Sequence, residues 1–68
     1  MISLNVITRS KNDEDFINDM CNEGELEILT STSYSGSILH FKVHFIEATE
    51  ETFTILTLKF GVDDVWKR

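Results

Sequence analysis

A central stretch of the chain predicts two β-strands joined by a tight turn. Residues 25–47 read ELEILTSTSYSGSILHFKVHFIE. Side chains along a strand point alternately to opposite faces, so a period of two is the pattern of a strand. In the first run one face carries Leu26, Ile28, Thr30, Thr32 and Tyr34. Ser35-Gly36 then predicts a hairpin turn in which Gly36 supplies a positive φ.

The second strand of this hairpin, Ile38–Glu47, has one bulky face and one polar face. The bulky face carries Leu39, Phe41, Val43 and Phe45, so we expect it to form the core. The polar side chains, with those of the first strand, predict a partly wet opposite face of Ser31, Ser33, His40, Lys42 and His44. The complete predicted core is Leu4, Val6, Phe16, Met20, Ile28, Leu39, Phe41, Val43 and Leu58.

Upstream of the hairpin, the sequence predicts a strand followed by a short helix. Ile2–Arg9 alternates and indicates strand one. The helix is expected over Asn12–Glu23, because acids occupy its first turn and favour the positive end of the helix dipole. Its apolar stripe is Phe16, Ile17, Met20 and Cys21. Gly24 is expected to end it.

Downstream of the hairpin, Ala48–Glu51 is predicted as a polar loop and Thr52–Phe60 as strand four. Apolar residues occupy both faces of that strand, which implies burial on both sides or a bulge near Ile55-Leu56. Val62–Arg68 is predicted as a short tail with room for one helical turn. The expected fold is therefore one α+β domain, residues 1–68, ordered β-α-β-β-β. One helix packs on one face of a mostly antiparallel four-stranded sheet, whose strand order stays open.

The charge balance narrows the class of partner. Twelve acids stand against six bases, giving a formal net charge of −6. Such a surface repels nucleic acid and anionic lipid, so we expect neither as a direct partner. The single cysteine, the lack of a signal peptide and the lack of a long apolar run favour a cytoplasmic protein.

No residue pattern predicts catalysis, a metal site or a cofactor. His40 and His44 lie four apart on a predicted strand, about 13 Å at ~3.4 Å per residue, too far for two ligands of one zinc. Cys21 is expected as a buried apolar side chain near a helix C-terminus, whereas reactive cysteines favour helix N-termini and neighbouring cations. Phe41 and Phe45 are placed as stacking aromatics are in single-strand binders, but apolar neighbours on their face favour a core. We expect a protein that is not an enzyme.

The distribution of acids gives the leading hypothesis. Small, acidic, cofactor-free α+β proteins of this kind are typical of inhibitors carried by phages and mobile elements, an analogy of size and composition alone. We expect the chain to dock on a larger protein with a basic surface, one that can normally hold nucleic acid, and to modulate it. The expected contact residues are Asp15, Asp19, Glu23, Glu25, Glu47, Glu50 and Glu51.

Two alternatives remain open at this point. In the first, the acids only keep the protein soluble, and the functional surface is the polar sheet face around His40 and His44. In the second, the chain is a structural or assembly protein that forms a homodimer through a sheet edge and its C-terminal tail. Val65 and Trp66 are the candidate self-interface residues, because tryptophan is enriched at protein interfaces.

Overall fold

The computed structural model describes all 68 residues as one sheet covered by two helices. The elements in chain order are β1 (Ile2–Thr8), α1 (Lys11–Asn22), β2 (Leu26–Ser35), β3 (His40–Ala48), α2 (Glu50–Phe60) and β4 (Val65–Lys67). The strand order is β2-β3-β1-β4, and every neighbouring pair is antiparallel. The α+β class and the four-stranded antiparallel sheet are confirmed. Neither helix has the length and hydropathy needed to cross a membrane.

The first helix forms where the sequence predicts it. The Ser10 side chain accepts a hydrogen bond from the Asp13 N–H at 3.2 Å and caps the N-terminus. Ile17 and Met20 are buried against the sheet, as an apolar stripe at helical spacing requires. Gly24 follows with a φ of 81°, which a residue with a side chain adopts at a cost.

The predicted fourth strand is wrong, because Thr52–Phe60 lies within the helix α2. Thr49 caps this helix by accepting a hydrogen bond from the Thr52 N–H at 3.2 Å. Glu50 and Glu51 then occupy the first turn, where carboxylates favour the helix dipole. The predicted polar loop therefore contains the start of this helix. Leu56 lies on the buried side of α2.

The C-terminal tail supplies the fourth strand instead. β4 pairs antiparallel with β1, with Leu4 opposite Lys67 and Val6 opposite Val65. The expected helical turn is absent, since residues 62–64 form only the turn that leads from α2 into this edge strand. The element order is therefore β-α-β-β-α-β, and both helices pack on the same face of the sheet.

The two faces of β3 are the reverse of the prediction. His44, Ile46 and Ala48 are buried on the side covered by the helices. Phe41, Val43 and Phe45 alternate with them and therefore lie on the opposite side, which we call the open face. The polar side chains predicted to be wet, Lys42 and His44 among them, face the helices instead.

A bulge divides β2 into two parts. The pairing with β3 shifts between Ile28 and Thr30, so Leu29 is the extra residue. Before the bulge, Leu26 and Ile28 pack with the core. After it, Thr30, Thr32 and Tyr34 lie on the open face and Ser31 on the helix side.

One hydrophobic core lies between the sheet and the helices. Its buried members are Leu4, Val6, Ile17, Met20, Leu26, Ile46, Ala48, Leu56 and Val65. Leu4, Val6 and Met20 confirm the prediction, and Phe16 and Ile28 pack partly against this cluster. Leu39 and Leu58 are exposed, and Phe41 and Val43 belong to the open face, so these four were assigned wrongly.

The β2–β3 hairpin projects beyond the rest of the sheet. β1 ends at Thr8, opposite Lys42, so the last hairpin pairs have no third strand beside them. The Tyr34 and Phe41 rings stack there with centroids 5.1 Å apart. The Gly36 N–H donates to the Leu39 carbonyl at 2.7 Å, which closes a turn without the predicted positive φ at Gly36.

Candidate functional site

Glutamates from the α1–β2 connection, two strands and the start of α2 lie at one end of the molecule. Glu27 on β2 lies directly opposite Glu47 on β3. The Thr52 hydroxyl of α2 donates to the Glu25 carbonyl at 3.3 Å, which fixes the start of β2 beside the start of α2. We call this surface the acidic end. It consists of Glu23, Glu25, Glu27, Glu47, Glu50 and Glu51.

Most of the acidic end carries unneutralised charge. Its one ion pair joins Glu50 to Lys67, with Nζ and Oε1 3.0 Å apart. The other ion pairs of the chain lie elsewhere: Arg9–Asp64, Lys11–Asp15 and Lys42–Glu14. Like charges directly opposite each other on a sheet are destabilising, so the Glu27–Glu47 pair costs the fold stability.

The structure regroups the acids that the sequence predicts as contact residues. Five of them, Glu23, Glu25, Glu47, Glu50 and Glu51, belong to the acidic end. Asp19 is exposed on α1, and its carbonyl accepts the Glu23 N–H, so it lies one turn away. Asp15 lies farther along α1 and pairs with Lys11 at 3.5 Å. Glu27 is not among the predicted contact residues, and the strand register adds it by placing it opposite Glu47.

The open face is a second candidate surface, and it is rich in aromatic side chains. The register aligns Thr30, Phe45, Asn5 and Trp66 in one row across the four strands. The next row is Thr32, Val43 and Ile7, and Tyr34 with Phe41 forms the row beyond it. No helix covers this side, so Phe45 and Trp66 leave 36% and 39% of their surface exposed.

Charged groups border the aromatic row of the open face. Glu27 and Glu47 share the neighbouring row with Ser3, and the Arg68 N–H donates to the Ser3 carbonyl at 3.0 Å. The Arg68 guanidinium lies over the Phe45 ring, 4.7 Å from its centroid. Within the row, the Asn5 Oδ1 is buried and has no hydrogen-bond partner in the protein.

The predicted self-interface residues differ in their exposure. Val65 is buried, with 3% of its surface exposed, and belongs to the core. Trp66 follows it on the strand and therefore points to the open face. Of the two, only Trp66 is available to a partner.

A buried histidine forms a polar layer between the sheet and α1. His44 Nδ1 lies 2.7 Å from the Ser31 hydroxyl, and its Nε2 lies 2.9 Å from the Thr8 hydroxyl. The two hydroxyls come from the strands on either side, so the ring bridges β2 and β1 across β3. Burial lowers the pKa of His44 below its ordinary value; the Glu14 carboxylate opposes this shift and the Lys42 ammonium adds to it.

The buried His44 should make folding stability depend on pH. Its pKa is lower in the folded protein than in the unfolded chain, where it is near 6.5, so the unfolded chain binds more protons. The stabilisation is therefore fully present above about pH 6.5 and is lost as the pH falls through the folded-state pKa. We expect urea unfolding of the wild type to show this loss and His44→Gln to show a flatter dependence over the same range. His40→Gln is the matched control, and an equally flat profile for that variant would contradict the assignment.

The remaining candidates for chemistry lie apart from one another. His40 is exposed at the hairpin end, with Nδ1 3.0 Å from the Ser35 hydroxyl. Cys21 is partly buried and packs against the core. No group of three or more potential ligand side chains is placed to hold a metal ion.

The acidic end and the open face adjoin each other, because Glu27 and Glu47 belong to both. Together they form a surface that carries strong negative charge at one end and aromatic side chains beside it. No protein-family model, curated protein or solved structure matches this chain.

Proposed function

We propose that the chain is a non-enzymatic binding protein that docks through its acidic end on a basic surface of a larger protein and modulates that protein. The observation that carries the proposal is the grouping of six glutamates from the α1–β2 connection, β2, β3 and α2, of which only Glu50 forms an ion pair, with Lys67. A surface of one sign attracts the opposite sign and raises the rate of encounter.

Structural roles account for only part of this cluster. Glu50 and Glu51 stabilise the start of α2, as acids in a first helical turn do. Glu23 lies at the C-terminal end of α1, where a negative charge opposes the helix dipole. The Glu27–Glu47 pair is also unfavourable for folding. Acids that serve solubility alone could be spread over the surface, so their concentration at a cost to stability favours a binding role.

The chemistry of the acidic end favours a partner whose basic surface otherwise holds nucleic acid. Closely spaced carboxylates on a rigid sheet resemble a row of phosphates, and lysine and arginine side chains recognise both. Binding there would block the partner's nucleic-acid site, which is inhibition by competition. We place this activity in the cytoplasm, with support from the single unpaired cysteine.

Charge reversal at the acidic end tests the proposal. We expect Glu47→Lys with Glu51→Lys to weaken partner binding by about tenfold or more and to reduce its dependence on salt, because attraction becomes repulsion. The measurement is capture of partners from lysate at rising salt by the immobilised wild type and variants, with titration of the purified partner.

Asp15→Lys with Asp63→Lys is the matched control. It makes the same change in net charge at exposed acids outside the acidic end, so partner binding should stay near wild type. Equal losses in both variants would show that only net charge matters. Wild-type binding by the Glu47 and Glu51 variant, without salt dependence, would overturn the proposal.

A further inference from the structure

The open face exposes apolar side chains next to charged ones. Phe45, Trp66, Val43 and Ile7 lie on it, whereas both helices pack on the other side. Apolar side chains grouped on one side of a small domain mark an interaction surface. The charges beside them decide what can cover it.

Those charges are complementary within a single row. The row next to Phe45 begins with Glu27 and Glu47 on β2 and β3 and ends with Arg68 beside Ser3 on β1. Neither these glutamates nor Arg68 forms an ion pair within the chain. One side of the row is thus negative and the other positive, and both lack an ion-pair partner, although the Arg68 guanidinium lies over the Phe45 ring.

We propose that the open face is an interface between two copies of this chain, related by a two-fold axis parallel to the strands and running between β3 and β1. This rotation places β2 of one copy opposite β4 of the other, and β3 opposite β1. Each row of side chains therefore faces the same row of the other copy. Arg68 of one copy is thereby placed opposite Glu27 of the other, next to Glu47, and the reciprocal contact forms at the same time. The interface therefore pairs Arg68 of each copy and leaves one negative charge of each glutamate pair unneutralised.

The same operation fits bulky side chains against small ones. In the aromatic row it places Phe45 of one copy over Asn5 of the other, and Trp66 over Thr30. In the next row Val43 meets Ile7. Faces that interdigitate large and small side chains reach the packing density of a sheet-on-sheet interface.

A two-fold axis perpendicular to the strands gives a poorer fit. When it passes through the aromatic row, it places Phe45 on Phe45 and Trp66 on Trp66. When it passes one residue farther along the strands, at the level of His44, it buries Glu47 against Phe41. The strand-parallel axis is the one that satisfies both charge and shape.

The size of the face implies a weak dimer. Four strands at ~4.8 Å spacing and about six residues at ~3.4 Å give roughly 400 Å² of flat sheet. A standard interface buries about 800 Å² on each partner. The two copies also repel each other, since each carries a net charge of −6. We expect fast exchange between monomer and dimer at high protein concentration.

The dimer would enlarge the docking surface. Because the axis keeps each row at its own height, the two acidic ends lie on the same side of the dimer. A partner would then meet the remaining glutamates of both copies, Glu23, Glu25, Glu50 and Glu51, side by side, a consequence that rests on the proposed function. The dimer itself is tested on the purified chain, so its failure and the failure of docking are distinguishable.

Concentration-dependent measurements on the purified full chain test the interface. Sedimentation equilibrium should show a monomer–dimer equilibrium, and amide NMR signals of Phe45, Asn5 and Trp66 should shift on dilution. Trp66→Ser is expected to weaken the dimer by about tenfold or more, because it removes a large aromatic contact from the interface. Phe45→Ser should act likewise, and Trp66→Ser keeps the test valid if Phe45→Ser does not fold.

Leu58→Ser is the matched control, since Leu58 is 83% exposed on α2, away from the open face. It should leave the dimer unchanged. A chain that stays monomeric at all concentrations, or one whose association is lost in Leu58→Ser but not in Trp66→Ser, would overturn the proposal.

A charge swap tests the geometry of the axis. Arg68→Glu alone and Glu27→Arg alone should each weaken the dimer, because each places like charges together. The double variant Glu27→Arg with Arg68→Glu should recover affinity, since the rotation places these two sites opposite each other. Double-variant affinity no better than that of the weaker single variant would exclude this axis.

Discussion

Replacing Ile46 with alanine is expected to lower the free energy of unfolding by about 2–5 kcal/mol. Ile46 is fully buried on β3, with Leu4 opposite it on one side and Ile28 on the other. Truncation removes buried methyl groups and leaves a cavity that the neighbouring strands cannot close. Small domains have total stabilities of about 5–15 kcal/mol, so the variant should lose a large share of its stability. Urea unfolding followed by circular dichroism measures the difference.

Phe41→Ala is the informative comparison on the same strand. Phe41 lies on the open face, in the projecting part of the hairpin, and stacks on Tyr34. Its loss removes a stacking contact worth about 1 kcal/mol beyond the partial burial of the ring, and it should cost less than the loss of the fully buried Ile46. A cost for Phe41→Ala as large as that for Ile46→Ala would mean that the open face is part of the core.

The contrast between these two residues shows what an alternating pattern can predict. Alternation correctly groups Phe41, Val43 and Phe45 on one face of β3, and it groups His44 with Ile46 on the other. It does not say which group the helices cover. The bulkier group was predicted to form the core, but the core contains Ile46 and Ala48 instead. His44 lies on the same face as these two residues, so it is buried, and two hydroxyls supply its hydrogen bonds.

The sequence indicates α1 more clearly than α2. α1 has a capping serine, acids in its first turn and an apolar stripe, and all three indicate a helix. α2 has an equivalent start in Thr49, Glu50 and Glu51. Its interior contains threonine, isoleucine and phenylalanine, which favour strands, and the prediction followed that propensity and took Ala48–Glu51 as a loop. The Thr54 and Thr57 hydroxyls bond to carbonyls four residues earlier, so the helix satisfies these side chains itself.

The candidate site depended on these missed features. The individual acids are visible in the sequence, but their convergence requires the pairing of Glu27 with Glu47 and the placement of α2 beside Glu25. The open face could not be identified from the sequence, because the prediction placed Phe41, Val43 and Phe45 in the core. Long-range register and the face that a helix covers are tertiary properties, and local patterns specify neither.

Leu56→Ala is expected to cost about 2–5 kcal/mol, whereas Leu58→Ala should change stability by no more than about 0.5 kcal/mol. A strand would place these leucines on one face and make both substitutions costly. A helix rotates them apart by about 200°, so one is buried and the other is exposed. Leu56 has 0% of its surface exposed and Leu58 has 83%. Alanine also favours a helix slightly more than leucine, which further limits the effect at Leu58. Thermal and urea unfolding of the two variants should therefore separate clearly, and similar losses in both would show that residues 52–60 form a strand in solution.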